Sequence, residues 1–548
     1  MDRRRFLIGS AWAGLATGSG VLAAACNAVV VPPDSQAPSP TAPLPPTPTP
    51  ITTPPPVDVT PAPSEPISGV SPVAVENRRI GTTRWLVDAA STVVSGYTDL
   101  ASAATGDRLS LHVAADQPFD VEWYRLGWYG GAGGRLVRLD RGLPAQRDWQ
   151  AVRDVATGRA EAPWSAALSV DVPPEWPSGM YSAVLRPPSG PSSYVPFIVR
   201  ADGSARRAPV LFVSAATTWQ AYNMWGGASF YDATSADSPD ISKGKRAVQV
   251  SFDRPYAEDG GAGFQHRWEL QFVRWQEREG RDVDYIADVD LELHPELLVG
   301  RRLIVFAGHH EYWSRPMRTS LDAAIAAGTN VAFLSANEIY WQVRLEPSLL
   351  GPARRITCYK SARLDPFATT QPSLTTCRWR EAPVSEPEAT VIGQMYGHIV
   401  RRPGDWVVMN ANHWLYDGTG LRDGDRLVNL VGQEYDTFFP AFAHPGAVLL
   451  ARGAIDSMPG DTSPGGLRGR PVHTATMYEA ASGATVFSAG TFQWSWAIDE
   501  FGPRDYRGFA TPYDERVVRM TRNLFDRLGD GPSPTVPGRA VGARSGHA

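Results

Sequence analysis

The clearest hydrophobic pattern in the chain is a strand, a helix and a second strand. Leu303 to Ala307 is an unbroken apolar run, the pattern of a strand buried on both faces. Gly308 follows, and then His309, His310, Glu311 and Tyr312 crowd together. Ser314 can cap a helix and Pro316 fits its first turn. Met317, Leu321, Ala324 and Ile325 share one helical face, and Gly328 stops the helix. A second apolar run, Val331 to Leu334, ends at Ser335, Ala336 and Asn337. The unit predicts parallel strands joined by a right-handed crossover. Ligands in such sheets sit beyond the carboxyl ends of the strands, which here carry His309, Glu311 and Asn337.

The same pattern extends upstream. Pro209 to Ser214 and Val283 to Ala287 read as buried strands, and Phe264 to Gly280 as a helix with Phe264, Trp268, Phe272 and Trp275 on one face. Leu291 to Leu298 reads as a short helix. At least four strands therefore feed a mainly parallel sheet, with Tyr222, Glu311 and Asn337 just beyond three of their ends. Residues 350–440 lack helical periodicity. Later strands are expected at Ala447–Ala451, Thr474–Tyr478 and Ala484–Ala489, and a last helix from about Pro512 to Leu528, capped by Thr511. Before all of this, residues 78–204 alternate or run apolar in short stretches, such as Leu109–Ala114, Phe119–Tyr124, Tyr181–Leu185 and Tyr194–Val199. Gly and Pro clusters between them set the spacing of a β-sandwich. Residues 205–529 make up the α/β part.

The two ends differ in composition. Arg3, Arg4, Arg5, Phe6 and Leu7 resemble a twin-arginine export signal, followed by a small apolar run too short to span a membrane as a folded helix. Leu22-Ala-Ala-Ala-Cys26 resembles a lipoprotein cleavage box, so residues 1–26 read as a leader with Cys26 as the lipidated residue. The chain is then expected on the outer face of the cytoplasmic membrane or the cell surface, held by a lipid anchor. Residues 27–77 are rich in Pro, Thr, Ser and Ala and read as an extended stalk; residues 530–548 read as a disordered tail. A net charge of −5 gives no sign of a nucleic-acid partner. With 548 residues and 18 tryptophans there is material for two or more packed cores. Three cysteines exclude a disulfide-dense scaffold and a Cys-based zinc site, though Cys358 and Cys377 could form a disulfide in an exported protein.

Among catalytic chemistries, acyl-enzyme formation is disfavoured. No Gly-x-Ser-x-Gly elbow is present, and no cysteine stands at the end of a predicted strand. The helical spacing of zinc proteases is also absent, and adjacent residues such as His309, His310 and Glu311 diverge in direction. Phenol and carboxylate oxygens are hard ligands suited to ferric iron, which draws attention to Tyr222 and Tyr231 after the first strand and Glu311 after its neighbour. Tyrosines at strand ends are more often wall residues. Trp128 and Tyr129, in a glycine-rich segment, could pack against the next domain or form an exposed platform for sugar. The second option motivates an alternative reading of the chain as a non-catalytic, glycan-binding surface lipoprotein.

At these residues the sequence resembles the large (beta) subunit of N,N-dimethylformamidase and its relatives. The likeness rests on TTWQAYN (Thr217–Asn223), ASFYD (Ala228–Asp232), SFDRPY (Ser251–Tyr256), WQEREGRDVDYIADVDL (Trp275–Leu291), GHHEYWS (Gly308–Ser314), AFLSANEIYWQVR (Ala332–Arg344) and VGQEYD (Val431–Asp436). It runs in order from about residue 78 to 528. The resemblance implies an Ig-like β-sandwich followed by an α/β domain like that of the amidotransferases. It implies a mononuclear non-haem ferric iron held by two tyrosines and a glutamate, here Tyr222, Tyr231 and Glu311, with Tyr256 as the fallback for the second tyrosine. His309 matches a histidine beside the iron, and Asn337 and Glu434 match further pocket residues. The implied activity is hydrolysis of a small linear amide, with Glu434 as general base, Asn337 as oxyanion donor and His309 orienting Glu311 or the water. A homo-oligomer or a small accessory subunit is also implied as a possible partner.

Overall fold

The computed structural model describes residues 71–90, 92–201, 207–232, 246–458, 471–502, 505–506 and 508–529. The leader with Cys26, most of the proline-rich segment and the C-terminal tail lie outside them. So does the boundary placed between residues 204 and 205. Among the described residues no helix is long and apolar enough to cross a membrane. The protein is mixed α/β and rich in strand.

The N-terminal β region is two sheets face to face. Val94–Thr98, Arg108–Ala115 and Ala166–Asp171 form one. The other has five strands in the spatial order Ser102–Ala103, Ser193–Val199, Gly179–Arg186, Phe119–Leu126 and Gly134–Leu143. Period-2 alternation sends Leu109, Leu111 and Val113 into the layer between the sheets, against Trp123, Tyr181, Leu185 and Phe197. The opposite face of the five-stranded sheet does not meet solvent. Tyr124, Leu126, Met180, Val184 and Ile198 belong to the core of the α/β part. Three of these strands are therefore apolar on both faces, as parallel-sheet strands usually are.

The α/β part is built on seven strands: β1 (Val210–Ser214), β2 (Val283–Ala287), β3 (Leu303–Ala307), β4 (Asn330–Leu334), β5 (Val448–Ala454), β6 (Val472–Glu479) and β7 (Thr485–Ser488). Their order is β2-β1-β3-β4-β7-β6-β5. The first five are mutually parallel, and β6 and β5 add antiparallel. The helices that matter below are α1 (Ala216–Tyr222), α2 (Leu270–Arg278), α3 (Arg315–Ala326) and α4 (Glu515–Leu528). Alternate residues of one strand enter different cores. Val210, Phe212, Leu303 and Val305 pack with α2 and α4, while Leu211, Val213, Ile304 and Phe306 pack with α3. From β1 the chain moves outward to β2, then returns past β1 to β3. The carboxyl ends of β1 and β3 thus flank the point where the winding reverses, the place where sheets of this kind open a crevice.

Several expected elements differ in detail. The helix expected from Phe264 begins as a π-helical turn, Gln265–Glu269, before α2. The helix expected over Leu291–Leu298 is two short turns, Asp290–Leu293 and Pro295–Leu298, because Pro295 has no N–H to continue the first. The last helix is capped by Asp514, whose side chain accepts from Arg516 N, and not by Thr511. Thr511 instead donates to the carbonyl of Asn429 at 2.9 Å. The end of the segment read as stalk is folded: Pro72–Glu76 is a helical turn capped by Ser71, with Val73 buried. Cys358 and Cys377 do not pair; both are free, buried thiols. The strand Trp341–Ser348 separates them. Gln342 N donates to Cys377 O, while the same strand pairs with Gly351–Thr357, which leads into Cys358. Each sulfur belongs to a different core.

Trp128 and Tyr129 are not an open platform. Tyr129 is buried, and the guanidiniums of Arg274 and Arg278 lie 5.1 and 5.4 Å from the Trp128 ring centroid. Beside them, Arg125 makes a bidentate pair with Glu277 at 2.9 and 2.7 Å, with both side chains buried. Tyr285 and Asn77 also donate to Glu277, at 2.6 and 2.9 Å. This pair joins the β region to α2. Glu277→Ala leaves the Arg125 cation buried without its carboxylate, and the expected loss in denaturant-unfolding free energy is about 3–5 kcal/mol. An exposed pair such as Arg108–Asp171, cut in the same assay, is expected to change stability by under about 1 kcal/mol.

Candidate functional site

Helix α1 starts where β1 ends and has no side-chain cap of its own. Its leading N–H groups are met from outside the helix. Ala215 N donates to Glu269 at 2.8 Å, and Thr217 N donates to Asp288 at 3.1 Å. Both carboxyls are buried, and that burial pushes Glu269 up to about 8 and Asp288 up to about 7. Held this way, α1 runs to Tyr222 at its last position. The chain then turns and comes back: Phe230 N donates to Ala221 O at 3.0 Å, and Ser229 Oγ accepts from Tyr231 N and Asp232 N at 3.1 and 3.2 Å. The Tyr222 and Tyr231 rings stack, with centroids 4.3 Å apart and planes 13° from parallel, and their hydroxyls lie 2.9 Å apart.

The adjacent strand supplies the carboxylate. Gly308 ends β3 at φ +96°, and a Cβ there would lie 3.1 Å from Glu269 Cγ and 3.2 Å from Trp268 Cβ. Glu311 N donates to Thr218 Oγ1 of α1 at 3.0 Å, and its carbonyl accepts from Tyr340 N and Trp341 N at 3.0 and 2.9 Å. The side chain, fully buried, accepts from Tyr222 OH at 2.6 Å, from Tyr231 OH at 2.8 Å and from Trp341 Nε1 at 3.1 Å. Tyr222, Tyr231 and Glu311 therefore meet oxygen to oxygen. Tyr256 does not join them; its ring packs against Trp219, at a centroid distance of 6.1 Å, and lines a separate small cavity with Tyr97 and Arg354.

The other named residues surround this cluster. His309 Nε2 lies 3.2 Å from Glu311 Oε2, 3.4 Å from Tyr222 OH and 3.8 Å from Glu434 Oε2, with its ring 4.1 Å from that of Phe492. Asn337 stands beyond β4 with φ +57°, a left-handed conformation that asparagine tolerates better than most residues. Its backbone N donates to Asp436 at 2.8 Å and its side-chain Nδ2 to Glu434 Oε2 at 2.7 Å. One N–H of the side-chain amide thus orients Glu434, and the amide carries two. Glu434 and Asp436 lie two apart on one strand, Glu434–Thr437, and so share a face. Burial pushes Asp436 up to about 8.

A family model described as N,N-dimethylformamidase beta subunit-like, C-terminal, matches residues 120–508, most of the chain and every residue of this cluster. The chain belongs to this N,N-dimethylformamidase beta subunit-like family. No curated protein matches the chain.

Two residues of this family member's site had no role in the sequence reading. Tyr312 OH donates to Tyr231 OH at 2.6 Å, and Lys360 Nζ lies 3.4 Å from the Tyr231 ring centroid. Tyr312 stands next to Glu311 in GHHEYWS, where no spacing in the sequence links it to Tyr231. Its own ring, perpendicular to Tyr231 at 87°, still reaches the shared hydroxyl. Lys360 comes from the aperiodic stretch 350–440 and carries no local signal. Among the described residues no group of three or more His, Cys, Asp and Glu is placed to hold a metal. The donor set here is of another kind, two phenols and one carboxylate, all hard oxygens. In the protein alone the phenols act as donors to Glu311, and burial with the nearby carboxylate keeps the Tyr222 phenol well above its ordinary range.

The acids at the start of α1 make stability depend on pH. A carboxyl raised in the folded state binds its proton more tightly there than in the unfolded chain. Its contribution is full below about pH 4 and is lost as pH climbs through about 8. Glu269→Gln, which keeps the acceptor for Ala215 N, is expected to remove part of the fall in unfolding free energy between pH 5 and 8. Parallel denaturant titrations of wild type and variant across that range measure it.

Proposed function

We propose that the protein is an exported, lipid-anchored, metal-dependent hydrolase of small linear amides, with a ferric, mononuclear non-haem iron held by Tyr222, Tyr231 and Glu311. The observation that carries the reading is the meeting of two phenol oxygens and one carboxylate, from the loops after β1 and β3, at contacts of 2.6–2.9 Å in a buried site. Besides satisfying the buried carboxylate, three hard donors drawn together at a strand-end crevice are placed to share one small, hard ion. The donor types fit such an ion. Loading it displaces the phenol protons, so affinity is expected to rise with pH. On this reading the α/β part is of the amidotransferase-like kind and the β region Ig-like, with a strand-end turn that carries a histidine and a carboxylate where acyl-enzyme relatives need a cysteine.

When bound, the ion supplies Lewis acidity to a substrate carbonyl. The chain supplies the rest. Glu434 is the base: its carboxylate takes a proton from an attacking water and returns it to the leaving amine nitrogen as the C–N bond breaks. Asn337 holds Glu434 through the 2.7 Å bond from Nδ2, and Asp436 holds Asn337 through its backbone N. His309 orients Glu311 from Nε2 at 3.2 Å, with Glu434 3.8 Å from the same nitrogen. Burial of the whole cluster excludes competing water and strengthens each of these interactions.

Purified protein is expected to carry near-stoichiometric iron with a tyrosinate charge-transfer band. Glu311→Gln is expected to lose both. Glu434→Gln is expected to keep the iron and the band while kcat on a small formamide falls about 10²–10⁴-fold. Intact wild-type protein with no metal by elemental analysis, and none after incubation with ferric iron, overturns the reading.

A further inference from the structure

The chain between the two tyrosines, residues 223–230, has little regular structure. Yet it sets the distance between the phenols. One buried side chain from another segment reaches into it. Arg254, in SFDRPY, directs all five of its N–H groups at acceptors in residues 220–228. Nη1 donates to Trp225 O at 2.9 Å and Ala228 O at 3.1 Å. Nη2 donates to Gln220 O at 3.3 Å and Asn223 O at 3.1 Å. Nε donates to Gln220 Oε1 at 3.3 Å. Gln220 Oε1 also accepts from Asn223 Nδ2 at 3.0 Å, so both residues flanking the end of α1 are tied to the same guanidinium.

No carboxylate among the described residues forms an ion pair with Arg254. Its hydrogen bonds go to carbonyl oxygens, and Glu258 and Glu161 act on it only at a distance, too weakly to offset its burial. Burial pushes it down to about 10. Buried carbonyls in a loop with little helix or ladder pairing need donors, and the fork of Arg254 supplies them at four positions at once. The guanidinium is itself fixed from behind. Its neighbour Asp253 pairs with Arg354 at 2.8 Å, and Asp253 O accepts from Ala162 N at 2.7 Å.

We propose that Arg254 is a positioning residue for the two-tyrosine donor pair, holding the backbone from Gln220 to Ala228 so that the Tyr222 and Tyr231 phenols stay together in readiness for an ion. The proposal rests on the reading of these tyrosines as metal ligands. A planar five-donor fork is needed, and lysine, with three donors at one point, does not replace it.

The test uses the full chain and the variants Arg254→Lys and Arg254→Met, with two readouts. The first is retention of ferric iron against a graded chelator, together with the charge-transfer band. The second, on metal-stripped protein, is amide hydrogen exchange in residues 221–232 compared with β3. Both variants are expected to hold iron about 10–100-fold more weakly and to exchange faster in 221–232, with β3 still protected. Wild-type iron retention and wild-type exchange in 221–232 overturn the proposal. So does equal loss of protection in β3, which makes Arg254 a residue of the general fold. If wild type takes up no iron, the ligand reading fails, and the exchange comparison still decides whether Arg254 fixes this loop.

Discussion

The carboxylate of Glu311 is buried at the end of β3, and much of the α/β part is arranged to satisfy it. Removing a carboxylate from water costs several kcal/mol unless hydrogen bonds replace the lost hydration. Two phenols and an indole do so here. Each must arrive from a different element: Tyr222 from α1, Tyr231 from the returning loop, Trp341 from the strand that pairs with Tyr312–Ser314. The backbone of Glu311 is held by the same neighbours, through Thr218 and the N–H groups of Tyr340 and Trp341. A change in any one of these contacts is therefore felt by the others.

The winding of the sheet makes this convergence possible. Because β2 lies on one side of β1 and β3 on the other, the segments that leave β1 and β3 pass to opposite faces of the sheet, with α2 and α3, and leave a gap at the carboxyl ends of the strands. α1 sits in that gap, short and fully buried, and could not be capped by water. Glu269 and Asp288 take the place of a cap. Their raised pKa values are the consequence of putting acids where a helix start needed acceptors, and they show that a perturbed carboxyl near a site can serve the scaffold.

The β region takes part in the same core. Its five-stranded sheet gives one face to its own sandwich and the other to α2 and the elements around it, and the Arg125–Glu277 pair sits at that join. Its outer aromatic segment is likewise committed, with Trp128 beneath two arginines. A sugar platform needs open ring faces, so the segment's aromatic content reflects contact between the two regions.

Sequence alone determined the strands of the parallel sheet, since unbroken apolar runs between Gly and Pro have few other uses, and it placed α3 down to its Ser314 cap, where the backbone requirement is local. It also singled out Tyr222, Glu311 and Asn337, because residues at strand ends can be counted off. What it could not decide depends on distance. The join of Tyr231, and not Tyr256, to Glu311 follows from the way the chain after α1 folds back. The separation of Cys358 from Cys377 follows from a strand that runs between them. The use of Asn337 on Glu434, the reach of Tyr312 and Lys360 to Tyr231, and the grip of Arg254 on residues 220–228 all join positions far apart in the chain. Local propensity carries no information about such contacts. They are fixed only when burial forces each polar group to find its partner across the folded core.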